Sequence, residues 1–196
     1  MNEPGDDPAA IFERWFEEAR AAGVSQPEAM AVASATPSGA PSVRIVLMKG
    51  FDERGFTFFT NYRSRKGDEL DANPRAALLF HWSELGRQVR VEGAVSRVER
   101  AVSEAYARSR PRPSQLSALA SPQSRPVTDR DWLERRVEEL DAEHPGAELP
   151  VGEDWGGYRV EPAAWEFWQH RDDRLHDRVR YERFGDGGWR AERLAP

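Results

Sequence analysis

The sequence predicts an antiparallel β-barrel with helices inserted as blocks, an α+β fold that is mainly β. Candidate strands follow one another through tight turns that contain glycine or proline, as at residues 37–41 and 52–55. A regular alternation of strands and helices, which would indicate a doubly wound parallel sheet, is missing. A chain of 196 residues can bury one core, so we expect a single domain over residues 1–196.

The first predicted element is a helix over residues 8–22, preceded by a disordered stretch over residues 1–7. Asp7-Pro8 is typical of an N-cap residue followed by proline in the first helical turn. Apolar residues then recur at helical spacing, and Gly23 ends the pattern. The apolar stripe consists of Ile11, Phe12, Trp15, Phe16 and Ala19.

Five strands and one short helix are predicted next. Ser64 is placed to cap the helix, and Pro74 stops it. The strand pattern is clearest in the last of the five, where valines alternate with mostly polar side chains. The predicted strands cover residues 29–36, 42–49, 56–60, 76–82 and 88–98, and the helix covers residues 64–73.

Helices and then strands complete the chain. The sequence Thr-Asp-Arg-Asp at residues 128–131 resembles a capping box before a helix that runs to about Glu143. A glycine-rich turn at residues 185–188 joins the last two strands as a hairpin. The predicted helices cover residues 100–108, 114–120 and 128–143, and the strands cover residues 158–160 continuing into 165–169, 175–184 and 189–194.

Composition excludes several functional classes. A net charge of −6 argues against a nucleic-acid partner, which normally requires a basic face. The absence of cysteine removes disulfides and thiolate metal sites, and the four histidines show no metal-binding spacing, so we expect no metal. No apolar run is long enough for a membrane span, and the acidic start does not resemble a signal peptide. We therefore expect a cytoplasmic protein without membrane contact.

The distribution of lysine points to an anion site. Only two of the 28 basic residues are lysines, Lys49 and Lys66. With Arg44, Thr60 and Arg65 they fall at the ends of consecutive predicted strands and at the following helix start. A helix start beside lysine and arginine attracts anions, because backbone N–H groups add to the side-chain charge. One such residue is most simply a solvated surface charge, but five on adjoining elements favour a phosphate site.

Two further clusters are weaker signals. Tyr106 and Arg110 lie four residues apart and share a face if one helix continues through both, with Ser114 able to donate to the same phosphate. Arg174 and His176, with Arg178, point the same way if they lie on one strand, near an aromatic stretch at residues 165–169 that could pack on a flat ligand. A solvated loop and a solvent-facing strand are the respective alternatives.

In this order, the clusters resemble the pyridoxine/pyridoxamine 5′-phosphate oxidase family. The resemblance covers about residues 8–196 and includes Ser-Arg-Lys at 64–66 and Arg-Leu-His-Asp-Arg at 174–178. The matching stretches are residues 44–49, 58–61, 64–66, 73–75, 87–89, 109–112, 114–116, 123–124, 155–159, 166–169, 174–178 and 193–196.

The resemblance implies an antiparallel FMN-binding split β-barrel that forms a homodimer, with each FMN site built from both subunits. By motif match, FMN would be held by Arg44, Ile45, Val46, Leu47, Met48, Lys49, Phe59, Thr60, Arg65, Lys66, Gln88, Gln123, Ser124, Trp168 and Arg178. The substrate, a small phosphorylated pyridine, would be bound by Lys49, Tyr106, Arg110, Ser114, Arg174, Leu175 and His176. Arg174 and His176 are the residues that the resemblance places at the reacting ring.

The implied reaction is the oxidation of pyridoxine 5′-phosphate or pyridoxamine 5′-phosphate to pyridoxal 5′-phosphate, with O₂ reduced to H₂O₂. Ser117 and Leu119 stand where the family pattern has glycine and tryptophan, and His170-Arg171 replaces small residues. A related split-barrel oxidase of the phenazine type and a flavin-binding protein without turnover are the alternative readings. A nucleic-acid-binding barrel is a third alternative, which the acidic net charge disfavours.

Overall fold

The computed structural model describes residues 7–185 and 187–196, and in them an antiparallel sheet is flanked by helices, as predicted. The elements are α1 (Pro8–Ala21), β1 (Ala29–Ala35), β2 (Pro41–Leu47), β3 (Gly50–Asp52), β4 (Gly55–Asn61), α2 (Arg65–Ala72), β5 (Arg75–Trp82), a 3-10 turn (Ser83–Leu85), β6 (Arg87–Arg97), α3 (Arg100–Ser109), α4 (Arg112–Ala120), α5 (Arg130–Glu143), β7 (Trp155–Gln169), β8 (Asp177–Phe184) and β9 (Gly188–Arg193). The strand order is β2-β1-β5-β6-β7-β4-β3, with β8 paired to β7 and β9 paired to β8.

The long strand β7 organises the sheet. One of its edges pairs with β6, whereas the other edge pairs first with β4 and then with β8. The sheet therefore divides along β7 instead of continuing as one flat layer. A bulge lies opposite Gly93, where a Cβ atom would come within 1.9 Å of the Glu161 carbonyl oxygen. Glycine is needed there because the two backbones approach so closely.

Helix α1 covers one opening of the curved sheet with aromatic side chains. Asp7 caps it by accepting a hydrogen bond from the Ala9 amide at 3.3 Å. Phe12 is buried, and its ring lies 4.9 Å from Phe51 and 4.8 Å from Phe56. The predicted helix and its apolar stripe are confirmed. Disorder was expected over residues 1–7, but Asp7 is ordered as the N-cap of α1; residues 1–6 lie outside the described part of the chain.

Two local predictions were wrong at element boundaries. The strand predicted over residues 42–49 ends at Leu47, and a three-residue strand, β3, follows that the sequence did not indicate. Helix α5 is capped by Asp129, whose carboxylate accepts from the Trp132 amide at 2.7 Å. The predicted capping box started one residue too early, because the residue that caps the helix with an extended backbone is Asp129.

Helix α2 is capped at its start and tied to the sheet near its end. Ser64 caps it by accepting from the Gly67 amide at 3.3 Å. Near the other end, Asp71 accepts hydrogen bonds from Tyr158 at 2.8 Å and from Arg97. Burial, reinforced by the Asp71 carboxylate, raises the pKa of Tyr158, so its hydroxyl stays a donor. The start of α2, which carries two predicted site residues, is therefore held in place.

Among the described residues, no helix is long and apolar enough to cross a membrane.

Replacing Gly67 with alanine should destabilise the protein. A Cβ atom would lie 1.9 Å from the Tyr62 carbonyl oxygen, so backbone must move. We expect the free energy of unfolding in urea to fall by about 2–4 kcal/mol. The matched control is Gly50→Ala, whose Cβ atom would lie 3.8 Å from its nearest neighbour. Equal stability of the two variants would show that α2 is not tightly packed on the Tyr62 backbone.

Candidate functional site

A cavity of about 780 Å³ lies where β2, β4 and α2 meet α3 and the segment after α4. Five cationic side chains line it, and none of its described lining residues is a carboxylate. Both lysines of the chain are among the five. The cavity gathers these predicted site residues: Arg44, Ile45, Val46, Leu47, Lys49, Phe59, Thr60, Arg65, Lys66, Tyr106, Arg110, Gln123 and Ser124.

Lys66 forms the most buried cationic corner of the cavity. Its ammonium donates to Thr60 Oγ1 at 2.8 Å, Ser64 Oγ at 3.0 Å and Gln123 Oε1 at 2.7 Å. All three partners are neutral oxygens, so the charge is hydrogen-bonded but not neutralised. Burial, and secondarily the Arg44 guanidinium, lower the pKa of Lys66 to about 8. A bound anion would stabilise the protonated amine at this corner.

Arg44 and Arg65 are held beside Lys66 by a buried carboxylate, Glu69. Arg44 also donates to the Val32 carbonyl at 3.1 Å. Burial opposes ionisation of Glu69, but hydrogen bonds from two serines and both arginines outweigh it and hold its pKa at about 2. Glu69 is therefore ionised at neutral pH, although it is 5% exposed.

An aromatic stack forms another part of the cavity wall. The Phe59 ring lies 4.0 Å from Tyr106 and 5.6 Å from Trp155, both nearly parallel to it. The Arg110 guanidinium lies 5.1 Å from the centre of the Trp155 ring, within the range of a cation–π contact. Trp155 was not among the predicted site residues. Its signal in the sequence was an aromatic residue directly before two glycines, the second of which lets Phe59 approach.

Arg110 reaches the cavity by a different route from the predicted one. Helix α3 ends at Ser109, and Arg110 follows with extended backbone, so one helix does not continue through both Tyr106 and Arg110. Both side chains nevertheless line the cavity. Ser114 lies in the first turn of α4 and is not among the lining residues. Met48 is also absent from the lining, because its side chain is buried in the core.

Six further predicted site residues form a second group on β6, on β7 and on β8 with the turn before it: Gln88, Trp168, Arg174, Leu175, His176 and Arg178. Gln88 lies opposite Trp168 in the sheet, and Trp168 lies opposite Arg178. The Trp168 and His176 rings are 4.6 Å apart. Arg178 donates to Glu166 Oε1 at 2.9 Å. None of this second group lines the cavity, so one protomer presents two separate sets of predicted site residues.

The predicted strand face formed by Arg174, His176 and Arg178 was wrong. Strand β8 begins at Asp177, and Arg174 adopts a left-handed backbone with φ 65°, so Arg174 and His176 belong to a turn, whereas Arg178 lies on β8. Leu175 is 67% exposed on this turn. The Arg171 amide donates to His176 Nδ1 at 3.1 Å. That bond leaves the proton of the neutral imidazole on Nε2, which makes Nε2 a hydrogen-bond donor.

Family comparison covers nearly the whole chain. Residues 16–144 match the family described as pyridoxamine 5′-phosphate oxidase, and residues 155–196 match the pyridoxine 5′-phosphate oxidase C-terminal dimerisation region. A pyridoxine/pyridoxamine 5′-phosphate oxidase of Rubrobacter xylanophilus is 57% identical over 100% of this chain and 91% of its own length. One from Cupriavidus pinatubonensis is 56% identical over 97% of this chain and 89% of its own length.

Solved structures agree with the fold. PhzG from Burkholderia lata, in complex with tetrahydrophenazine-1-carboxylic acid, superposes with a TM-score of 0.93 at 36% identity, covering 99% of this chain and 95% of its own. A pyridoxamine 5′-phosphate oxidase-related, FMN-binding protein from Nostoc punctiforme has a TM-score of 0.75 at 18% identity, covering 98% and 99%, and supports the fold alone. The predicted antiparallel split β-barrel is thus confirmed.

The affinity of the cavity for a phosphate monoester should fall above pH 8. Lys66 has a lowered pKa of about 8, and a bound phosphate raises it, so binding takes up a proton at higher pH. We expect FMN, used as the probe, to lose only about twofold in affinity from pH 7 to 8 and up to about tenfold per pH unit above that. Fluorescence titration measures this. The Lys66→Met variant should bind FMN more weakly and without this pH dependence. If this variant shows the same pH profile as the native protein, Lys66 is not the group that titrates.

Proposed function

The chain belongs to the pyridoxine/pyridoxamine 5′-phosphate oxidase family, and on this premise we propose that it oxidises pyridoxine 5′-phosphate or pyridoxamine 5′-phosphate to pyridoxal 5′-phosphate. FMN is the cofactor, and O₂ is the electron acceptor. The observation that carries the proposal is that one cavity gathers five cations with no carboxylate among its described lining residues. Such a cavity suits a cofactor and a substrate that each carry a phosphate.

The chemistry of one side of the cavity fits the phosphate of FMN. Arg44, Arg65 and Lys66 supply charge there, and Gln123 and Ser124 supply neutral polar groups. A monoester at neutral pH carries nearly two negative charges and accepts several hydrogen bonds, which this set of donors matches. When bound, FMN would supply the redox chemistry, a two-electron oxidation of the substrate with the electrons delivered to O₂.

The other side of the cavity fits the substrate phosphate. Lys49, Tyr106 and Arg110 line the cavity, and we assign them to this phosphate because Tyr106 and Arg110 both pack on Trp155, which orients the Arg110 guanidinium. A guanidinium that is packed on an aromatic face loses less freedom when it forms a bidentate pair with phosphate. These residues bind and position the substrate. They would let the enzyme favour a phosphorylated pyridine over its unphosphorylated form.

Orientation of the substrate, not proton abstraction by a carboxylate, is the role that we assign to the chain's own groups. No described residue that lines the cavity is an acid. The Nε2–H group of His176, oriented by the Arg171 amide, is suited to donate a hydrogen bond to the pyridine substituents. Arg174 adds positive charge near the ring. Holding the reacting groups in contact supplies a large part of the acceleration in such reactions.

The chain forms a homodimer, since residues 155–196 match the family's dimerisation region. We propose that each site is shared, with the second residue group of one protomer completing the cavity of its partner. Two observations support this arrangement. The second group lies outside the cavity of its own protomer. Val43 and Ile45 on β2, which line the cavity, are 68% and 66% exposed, and a partner surface would cover such apolar side chains.

A second candidate substrate is a reduced phenazine carboxylic acid, because PhzG has a similar structure. Its identity to this chain is 36%, against 57% and 56% for the two oxidases. The cation set formed by Lys49 and Arg110 favours a phosphorylated substrate over a single carboxylate. The expected cytoplasmic location of the protein stays a prediction.

Anaerobic mixing distinguishes these functions. Pyridoxine 5′-phosphate should bleach the yellow colour of the FMN-loaded protein, and O₂ should restore it, because the substrate reduces the flavin. Tetrahydrophenazine-1-carboxylic acid and unphosphorylated pyridoxine serve as comparison compounds. If the yellow colour persists with both pyridoxine 5′-phosphate and pyridoxamine 5′-phosphate, the protein binds flavin but does not oxidise these substrates. If only the reduced phenazine bleaches the flavin, the phenazine carboxylic acid is the substrate.

Mutations should distinguish the residues that bind the FMN phosphate from those that bind the substrate phosphate. Lys66→Ala should weaken FMN binding by about 10- to 100-fold, and Arg110→Ala should raise the KM for the substrate by a similar factor with FMN retained, since each removes one charge-assisted contact. Flavin fluorescence and steady-state rates measure the two effects. The division of the cavity is wrong if Arg110→Ala releases FMN and Lys66→Ala retains it.

A further inference from the structure

A buried carboxylate holds the cationic side of the cavity from outside its lining. Glu69 Oε1 accepts from Arg65 Nε at 2.9 Å. Glu69 Oε2 accepts from Ser34 Oγ at 2.6 Å, from Ser42 Oγ and from Arg44 Nη2 at 3.3 Å. Each oxygen holds a different arginine, so the carboxylate fixes the two guanidinium groups relative to one another.

We propose that Glu69 is a positioning residue for the FMN phosphate, acting through Arg44 and Arg65. This inference rests on the proposed function, because it assumes that FMN occupies the cavity. In this role Glu69 does not contact FMN itself. Its role is to keep both arginines in the geometry that phosphate requires before the cofactor arrives.

Arg65 depends most on this support. Its side chain is 62% exposed, and a long exposed arginine samples many rotamers unless a partner restricts it. Glu69 lies one helical turn later on α2 and binds Nε, and this bond does not occupy the two Nη groups, which can donate to a ligand in the cavity that Arg65 lines. An arginine that is already ordered loses less entropy when phosphate binds.

Charge balance gives a second reason for a carboxylate here. Arg44, Arg65 and Lys66 bring three positive charges, and Glu69 reduces the sum to two. A phosphate monoester carries about −1.5 to −2 at pH 7, so the remaining charge matches it. Removing Glu69 would raise the positive charge, which favours anions, but it would also release both arginines. We expect the loss of order to outweigh the added charge, because solvent at the exposed Arg65 screens that charge.

The preference of the FMN-free protein for FMN over riboflavin tests the inference, because riboflavin lacks the phosphate. Glu69→Gln should weaken FMN binding by about tenfold and leave riboflavin binding unchanged, as expected for one disordered charge-assisted contact. A purely structural role would weaken both ligands equally. Glu134→Gln is the matched control, because Glu134 forms the same i,i+4 pair with Arg130 on an exposed helix away from the cavity.

A mutant cycle shows whether Glu69 acts through Arg65. In an Arg65→Ala background, Glu69→Gln should change the FMN preference by less than about threefold, because only the action of Glu69 through Arg44 remains. Arg65→Lys keeps the charge but lacks the planar fork, so it should lose preference much as Arg65→Ala does. If Glu69→Gln does not fold, Arg65→Lys still tests the proposal. An Arg65→Lys protein that prefers FMN over riboflavin as strongly as the native protein would refute the positioning of a guanidinium.

The outcomes separate the two proposals. If the native protein binds FMN and riboflavin equally, the phosphate site of the proposed function fails. If the native protein prefers FMN and Glu69→Gln keeps the full preference, the cavity assignment stands and the positioning role of Glu69 is refuted. Additive effects of Glu69→Gln and Arg65→Ala would likewise refute action through Arg65.

Discussion

Mutual repulsion among cations gathered in one cavity is the constraint on which the rest of the structure depends. Arg44, Arg65 and Lys66 converge without a carboxylate among the described lining residues, and burial, with the Arg44 guanidinium as the second cause, lowers the pKa of Lys66. The fold tolerates this arrangement because Glu69, buried outside the lining, offsets part of the charge and binds both arginines. The remaining positive charge is available to an anionic ligand. Stability and ligand binding are therefore coupled in the same few hydrogen bonds.

The architecture supplies the rigidity that this site requires. Strand β7 pairs with three neighbours, so it fixes β4, which carries Phe59 and Thr60, relative to β6 and β8. Helix α2 is capped by Ser64 at the end that carries the cations and is tied to the sheet through Asp71 at the other. The cationic side chains thus extend from anchored elements, which suits a site that must hold two rings in contact.

Sequence reasoning predicted the parts of the structure that depend on local signals. The capping residue Asp7 and the apolar stripe after it predicted α1. The two lysines in an arginine-rich chain predicted the cationic cavity. Other features depend on distant contacts. The turn at Arg174 arises from one left-handed residue that period-two reasoning cannot detect, and the role of Trp155 follows from its packing on Phe59 and Arg110. Strand periodicity equally cannot tell whether Trp168 serves its own protomer's cavity or that of the partner.

The shared site is the central claim, and complementation between two defective variants tests it most directly. One variant carries Arg65→Ala and Lys66→Ala, and the other carries Trp168→Ala and Arg178→Ala. If each site takes residues from both protomers, a mixed dimer has one intact site and one doubly damaged site. Random exchange should then restore about a quarter of native activity, because half of the dimers are mixed. No recovery, with subunit exchange demonstrated, would place both residue groups of one site on one protomer and contradict the account.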